Sequence, residues 1–149
     1  MIMQDQKLHI ILAEDDKDDQ LFFKTAFRDL KLDYSLAICN DGVELINYLN
    51  SIDEVPHMIF LDLQMPGKNG MQCLKEIRGE SKYRDMTVAI YTSLASAEYH
   101  EETFINGANV FIKKPRELSQ LKKILLEVVY INWQYICDGL NKENFMINY

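Results

Sequence analysis

The chain has 149 residues, of which 48% are hydrophobic and 26% are charged, a composition typical of one globular domain. Its formal net charge of −7 argues against nucleic acids and anionic membrane surfaces as direct partners. The sequence contains neither a signal-peptide pattern nor a membrane-span pattern, and the three cysteines lack metal-ligand spacing. We therefore expect a cytoplasmic protein with reduced thiols.

Short apolar runs alternate with amphipathic segments along the chain. The apolar runs predict five strands, over residues 7–13, 34–39, 58–61, 87–91 and 109–112. Apolar residues at helical spacing predict helices over residues 18–30, from residue 42 onward, over 70–78, over 97–105, and after residue 115. In the second helix, the residues expected to face the core are Val43, Leu45, Ile46 and Leu49.

This alternation predicts an α/β fold. Near-continuous apolar strands are typical of a parallel sheet whose two faces are both covered by helices. No linker, repeat or low-complexity segment divides the sequence. We predict a flavodoxin-like, doubly wound, five-stranded parallel sheet with five helices, of which the last is extended.

Acidic, hydroxyl and amine side chains follow the predicted strands at their carboxyl ends. Glu14 and Asp15 follow the first strand, Asp62 follows the third, Thr92 the fourth, and Lys114 the fifth. Because the carboxyl ends of parallel strands meet at one edge, we expect these side chains to converge. Clustered carboxylates would repel one another without a cation, and Mg²⁺ prefers hard oxygen ligands. The sequence therefore predicts a magnesium site at this edge.

Each of these residues also has a simpler explanation. Asp62 could cap the turn that follows it, and Thr92 could be an ordinary hydroxyl at a strand end. The five acids among residues 14–19 could cap the next helix as solvated charges, and we assign this explanation to Asp18 and Asp19. The occurrence of functional side chains at four strand ends favours the site.

Four motifs together match a known family. They are EDD after the first strand, FLDLQMPGKNG around Asp62, YTS at residues 91–93 and KKP at residues 113–115. Each motif is weak alone, but all four occur in order, each at the end of its strand. Over residues 1–129 the chain resembles the receiver domain of two-component response regulators. It is similar in particular to stand-alone regulators that serve bacterial phytochrome kinases.

The resemblance implies a phosphorylation site. Asp62 would accept a phosphoryl group from the phosphohistidine of a sensor histidine kinase. Asp15 and Asp62 would bind Mg²⁺ together with the backbone carbonyl of Gln64, and Glu14 would complete the acidic pair. The cofactor is thus predicted to be Mg²⁺.

The resemblance also implies a switch. Thr92 matches the switch hydroxyl, Lys114 the phosphate-binding lysine and Phe111 the switch aromatic. An inward movement of Thr92 would make room for Phe111 and alter the face formed by the fourth helix, fifth strand and fifth helix. Gln64 and Leu94 occupy positions that tune phosphoryl lifetime. Because an apolar Leu94 cannot orient a water molecule, we expect slow autodephosphorylation.

Residues 130–149 are predicted to form a C-terminal helical extension and tail, without an output domain. Residues 129–136 are almost uncharged, although the last helix of a receiver needs only one buried face. Two explanations stay open. The extension could fold back over its own domain, or it could strengthen a homodimer whose contact face includes Phe111, Tyr130 and Trp133.

The leading functional prediction is a single-domain response regulator that acts as an adaptor, and that is no enzyme beyond its own phosphorylation and dephosphorylation. The alternative is a phosphorelay intermediate that passes its phosphoryl group to a histidine phosphotransfer protein. A phosphatase of the haloacid dehalogenase type would need a second aspartate where Gln64 stands. A flavin-binding flavodoxin would need a phosphate loop where residues 14–16 are acidic.

Overall fold

Six parallel strands form one sheet in the computed structural model, which describes residues 7–94, 96–138 and 147–149, with backbone only for 133–138 and 147–148. The strands are β1 (Leu8–Ala13), β2 (Tyr34–Cys39), β3 (Met58–Leu61), β4 (Thr87–Thr92), β5 (Val110–Lys113) and β6 (Ile147–Asn148). The helices are α1 (Lys17–Arg28), α2 (Gly42–Ser51), α3 (Gly70–Arg78), α4 (Ala97–Ile105) and α5 (Leu118–Asp138), with a 3₁₀ turn at Ser81–Tyr83.

The strand order is β2-β1-β3-β4-β5-β6, and all neighbouring strands are parallel. The chain first moves outward from β1 to β2 and then crosses back to β3. In open α/β sheets this reversal leaves a crevice outside the carboxyl ends of the strands, where ligands bind. The five predicted strands and five predicted helices are confirmed. The sequence did not predict the two-residue strand β6, which lies beside β5.

The helices cover both faces of the sheet, which explains the continuous apolar strands. Residues from α1 and α5, including Phe23, Phe27 and Leu125, pack against one face. Helices α2 and α3 pack against the other face, with Leu45 and Leu74 in its core. Because alternate side chains of a strand point to opposite faces, each central strand contributes to both clusters.

One predicted core position is wrong. Val43 is exposed, whereas Leu45 and Leu49 are buried on the inner face of α2. Val43 is the second residue of the helix. In the first turn, the spacing of apolar residues gives the least information about which side chains face the core. The buried stripe of α2 is therefore narrower than the sequence predicted.

The second half of α5 packs on its own sheet. Val128 and Val129 are fully buried, and Ile131 contacts the same apolar cluster. Asn132 is also buried, and its Oδ1 accepts a hydrogen bond of 2.6 Å from the Thr87 hydroxyl on β4. The apolar surface of the last helix suggested a partner, but as far as residue 132 much of it is buried against the protein's own sheet.

Arg78, the last residue of α3, joins two loops at the opposite end of the sheet from the acidic edge. Its guanidinium donates to the backbone oxygens of Gly107, Tyr83 and Met86 and to Asn109 Oδ1, at 2.7–2.9 Å. Burial lowers the pKa of Arg78. These bonds fix the chain before β4 and before β5, and so set the start of both strands. Within the described ranges, no helix has both the length and the apolar character needed to cross a membrane.

Candidate phosphorylation and metal site

The predicted convergence at the carboxyl edge of the sheet is present. Glu14 and Asp15 follow β1, and Asp62 follows β3 directly. Carboxylate oxygens of these three residues lie within 4.8 Å of one another. Glu14 and Asp62 are buried, and Asp15 is exposed. The group combines two shielded carboxylates with one that is open to solvent.

The backbone holds Asp62 rigidly. Its N–H donates to the oxygen of Ala13 at 3.1 Å, which extends the pairing of β1 and β3 by one residue. Gly70, the first residue of α3, is so close that an added Cβ would lie 2.1 Å from the Asp62 backbone oxygen. Any side chain at position 70 would therefore push Asp62 out of its place. The Gln64 N–H donates to Asp62 Oδ1 at 3.2 Å and orients the carboxylate.

Lys114 connects the carboxylates of the site. Its ammonium nitrogen lies 2.5 Å from Glu14 Oε1, 2.8 Å from Asp19 Oδ2 and 3.0 Å from Asp62 Oδ2. Only 10% of its side chain is exposed. Its backbone N–H donates to the oxygen of Thr92 at 2.9 Å, which fixes the residue at the end of β4. The lysine that the sequence analysis assigned to phosphate binding thus contacts the predicted phosphoacceptor.

The pKa values of the site follow from burial and mutual charge. Burial raises the pKa of Glu14 to about 7, and the charge of Asp62 adds to this rise, whereas Lys114 and the Asp16 N–H oppose it. For Lys114, burial alone would lower the pKa, but Asp19, Glu14 and Asp62 together raise it above its usual value. The lysine is therefore a permanent cation, and the site retains an excess of negative charge.

The residues fit a divalent cation. Carboxylate oxygens of Glu14, Asp15 and Asp62 lie within 4.8 Å of one another, and Lys114 contacts Glu14 and Asp62. One ammonium group does not balance three clustered carboxylates, so a divalent cation would reduce their mutual repulsion. The available ligands are all hard oxygens, which favours Mg²⁺ or Mn²⁺ over softer metals. Glu14, Asp15 and Asp62 would hold such an ion. Binding by the Gln64 carbonyl stays a prediction.

Thr92 and Phe111 lie on neighbouring strands close to the site. Thr92 is fully buried, and its Oγ1 accepts a hydrogen bond of 3.2 Å from the Leu94 N–H. Phe111 is also fully buried, and the His100 ring lies over it at a centroid distance of 4.2 Å. The sequence predicts that an inward movement of Thr92 makes room for Phe111. In this structure Phe111 is already inside.

An open cavity of about 580 Å³ borders the site on its solvent side. Its lining combines polar groups near the acids with apolar side chains, namely Asp15, Leu63, Gln64, Met65, Pro66, Asn69, Met71, Leu94 and Tyr99. Both positions that were predicted to tune phosphoryl lifetime, Gln64 and Leu94, lie on this wall.

One carboxylate of the site has a contact that the sequence did not predict. The sequence predicts a solvated helix-capping role for Asp19, but Asp19 forms an ion pair with Lys114 across 95 positions of sequence. Its place in the first turn of α1 shows why the error arose, since acids are common there for reasons of helix electrostatics. A signal was available, because position 19 lies one turn after the acidic pair and on the same side of α1 as the buried Phe23.

The residues predicted for a partner face differ in accessibility. Phe111 offers no surface in this conformation, whereas Tyr130 is 47% exposed on α5. The side chain of Trp133 lies outside the part of the structure that is described. The homodimer therefore stays a prediction, and of the two predicted residues whose side chains are described, Tyr130 is accessible and Phe111 is not.

Comparison with known proteins agrees with the geometry. A family model described as the response regulator receiver domain matches residues 10–126. The probable methanogenesis regulatory protein FilR2 of Methanothrix harundinacea is 25% identical over 130 residues, which cover 83% of this chain and 84% of FilR2. The response regulator Rcp1 of Synechocystis sp. is 28% identical over 121 residues, which cover 78% of this chain and 82% of Rcp1.

Solved structures give the same result. The Mn²⁺-bound form of Rcp1 has a TM-score of 0.73 at 25% identity, covering 81% of this chain and 91% of that one. The phosphorylated cyanobacterial phytochrome response regulator RcpA has a TM-score of 0.75 at 25% identity, covering 83% of this chain and 91% of that one. The similarity thus extends over the five-stranded core of the sheet and its helices.

Proposed function

Because this chain belongs to the response regulator receiver domains of two-component signalling, we propose that it is a phosphorylation-controlled adaptor that receives a phosphoryl group on Asp62 from a sensor histidine kinase. The single observation that carries the proposal is the contact between Lys114 Nζ and Asp62 Oδ2, at 3.0 Å, beside the carboxylates of Glu14 and Asp15. The proposed nucleophile, a buried cation and the proposed metal ligands thus lie next to one another.

The transfer step uses Asp62 as the nucleophile. One carboxylate oxygen forms a bond to phosphorus while the bond between phosphorus and the donor's imidazole nitrogen breaks, and the imidazole keeps the bonding electron pair. Bound Mg²⁺ would neutralise charge on the phosphoryl oxygens, and Glu14, Asp15 and Asp62 would hold it. The product is an acyl phosphate on this protein, so the domain acts as a stoichiometric acceptor rather than as a turnover enzyme.

Lys114 supplies the charge stabilisation that the protein itself provides. Its ammonium is fixed between β4 and the acids before the phosphoryl group arrives, so little reorganisation is needed. Burial strengthens its attraction to the phosphoryl oxygens, because the surrounding dielectric is low. Lys114 can therefore exchange its contact with the Asp62 carboxylate for one with the phosphoryl group.

Thr92 would couple phosphorylation of Asp62 to a change in the rest of the domain. Its hydroxyl accepts from the Leu94 N–H and still carries its own proton, which it can donate to a phosphoryl oxygen. Such a bond exists only in the phosphorylated state, so it would bias the segment between β4 and α4. This segment leads to His100, which covers Phe111. The face formed by α4, β5 and α5 is thus the proposed output surface, for a downstream protein in the cytoplasm.

The test is phosphorylation by acetyl phosphate in the presence of Mg²⁺, followed by intact mass measurement. We expect a gain of one phosphoryl group in the parent protein, no gain in Asp62→Asn, and no gain in the parent when EDTA removes the metal. An equal gain in Asp62→Asn would place the phosphoryl group elsewhere, and no gain in the parent would overturn the proposal.

A further inference from the structure

Asp19 reaches the phosphorylation site from the solvent side. Its Oδ2 lies 2.8 Å from Lys114 Nζ, a shorter distance than the 3.0 Å between Lys114 and Asp62. The side chain of Asp19 is 38% exposed, whereas those of Glu14 and Asp62 are 1% and 6% exposed. Lys114 therefore contacts buried carboxylates on its inner side and Asp19 on its solvent side.

The position of Asp19 is fixed by its helix. Asp16 caps α1, and its Oδ1 accepts a hydrogen bond of 3.0 Å from the Asp19 N–H. The next residue, Gln20, is buried, and its side-chain amide donates to the backbone oxygen of Glu14 at 2.6 Å. The first turn of α1 is thus fastened to the end of β1. Asp19 is aimed at Lys114 by this turn.

Asp19 competes with the phosphoryl group for the same cation. An ammonium group has three protons to donate, and three carboxylates surround it in this structure. A phosphoryl group on Asp62 needs a share of this charge. It would gain less from Lys114 while Asp19 keeps one contact, and the two anions would repel each other.

We propose that Asp19 is a positioning residue with two effects. It holds Lys114 in place at the unphosphorylated site, and it weakens the interaction of Lys114 with the phosphoryl group. This inference rests on the proposed function and deepens it. Asp19 shifts the balance toward the unphosphorylated state and shortens the life of the acyl phosphate. The same negative charge favours the metal ion, since it adds attraction for any divalent cation at the neighbouring acids.

The proposal predicts opposite changes in two binding measurements on Asp19→Asn. Calorimetric titration of the metal-free protein with Mg²⁺ should show an affinity lower by about threefold, because one negative charge near the site is lost. Titration with beryllofluoride, an anionic phosphoryl mimic, at saturating Mg²⁺ should show an affinity higher by about fivefold. A residue with a merely structural role would weaken both.

Asp18→Asn is the matched control, because it removes the same charge from the adjacent, exposed position of the same helical turn. We expect it to change either affinity by less than about 1.5-fold, since solvent screens an exposed charge. Asp19→Glu keeps the charge and should restore the parent's Mg²⁺ affinity. The phosphoryl group of Asp19→Asn, followed by intact mass, should be lost about threefold more slowly than that of the parent.

The outcomes separate this inference from the function on which it rests. A parent protein that takes up neither beryllofluoride nor a phosphoryl group would overturn the proposed function. In that event the Mg²⁺ titration still tests whether Asp19 influences the metal site. Equal Mg²⁺ affinities of Asp19→Asn and Asp18→Asn would show that Asp19 has no special influence on it. With a functional parent, weaker beryllofluoride binding by Asp19→Asn would overturn the competition between Asp19 and the phosphoryl group.

Discussion

The imidazole ring of His100 covers the ring of Phe111, with their centroids 4.2 Å apart and their planes tilted by 59°. His100 lies in α4, which follows the segment after Thr92, and Phe111 lies in the middle of β5. A movement of Thr92 toward a phosphoryl group would therefore pull on the element that covers Phe111. Because Phe111 is already buried, we expect the environment of His100 to change on phosphorylation more than that of Phe111.

We predict that beryllofluoride and Mg²⁺ shift the imidazole resonances of His100 in NMR spectra. The chain has three histidines, and His57 precedes β3 at the opposite edge of the sheet, so its resonances provide an internal reference. Thr92→Ala should still bind beryllofluoride but lose the His100 shift, since the bond that transmits the change is absent. Equal shifts in Thr92→Ala and the parent would contradict this route.

The side chain at position 94 should control the lifetime of the acyl phosphate. Leu94 lines the open cavity beside the site and has no polar group with which to orient an attacking water. We expect Leu94→Asn to accelerate loss of the phosphoryl group by roughly three- to tenfold, whereas Leu94→Met should leave the rate close to that of the parent. Intact mass measured over time gives the rates. A half-life of only seconds in the parent would contradict the expected slow autodephosphorylation.

Magnesium affinity should rise with pH. The pKa of Glu14 is raised to about 7 by burial, so below that value a proton occupies the carboxylate that the ion needs. Raising the pH removes the proton and restores the ligand, and the apparent affinity should increase about tenfold between pH 6 and pH 8. Calorimetric titration at several pH values would measure this.

The control for the pH dependence is Glu14→Gln, which has no proton to lose. It should bind Mg²⁺ more weakly than the parent at pH 8 and show a much flatter pH dependence. If Glu14→Gln kept the full tenfold change, the titrating group would be another member of the site, and Glu14 would not be the ligand whose proton competes with the ion.

Much of the site could be predicted because it depends on strand ends. Once the apolar runs around Asp62 are recognised as parallel strands, the sheet geometry brings Asp62 and Lys114 to the same edge without further information. The Asp19 ion pair could not be predicted in this way, since it depends on the orientation of one helical turn. Nor could β6, which at two residues is too short to give a period-2 pattern.

Replacement of Arg78 should be strongly destabilising, although sequence analysis gave it no role. Its four hydrogen bonds satisfy acceptors in the two loops that precede β4 and β5. Arg78→Leu would remove one donor from each acceptor, although the Tyr83 oxygen would keep the Met86 N–H and Asn109 Oδ1 would keep the Val88 N–H. We expect the free energy of unfolding to fall by about 3 kcal/mol, measured by urea denaturation. Arg84→Leu, at an exposed position of the adjoining loop, should change it by less than about 0.5 kcal/mol. Similar losses in both variants would contradict the assigned role.

The edge of β5 is covered by the chain itself. The Tyr149 N–H donates to the Phe111 oxygen at 2.8 Å, and the Lys113 N–H donates to the Tyr149 oxygen at 3.3 Å. The Tyr149 side chain packs against the α5 side of the core, and burial together with Glu127 raises the pKa of its hydroxyl to about 12. A homodimer that uses β5 must therefore compete with residues 147–149.

Deletion of residues 147–149 should increase self-association, because it uncovers unpaired backbone groups along β5. Light scattering over a range of protein concentrations should show a higher weight-average mass for the deletion variant than for the parent. Tyr149→Phe is the control, since it loses the contact with Glu127 but keeps the backbone pairing, and its mass should match that of the parent. A lower mass after deletion would mean that residues 147–149 promote contact between copies rather than prevent it, and would contradict the prediction.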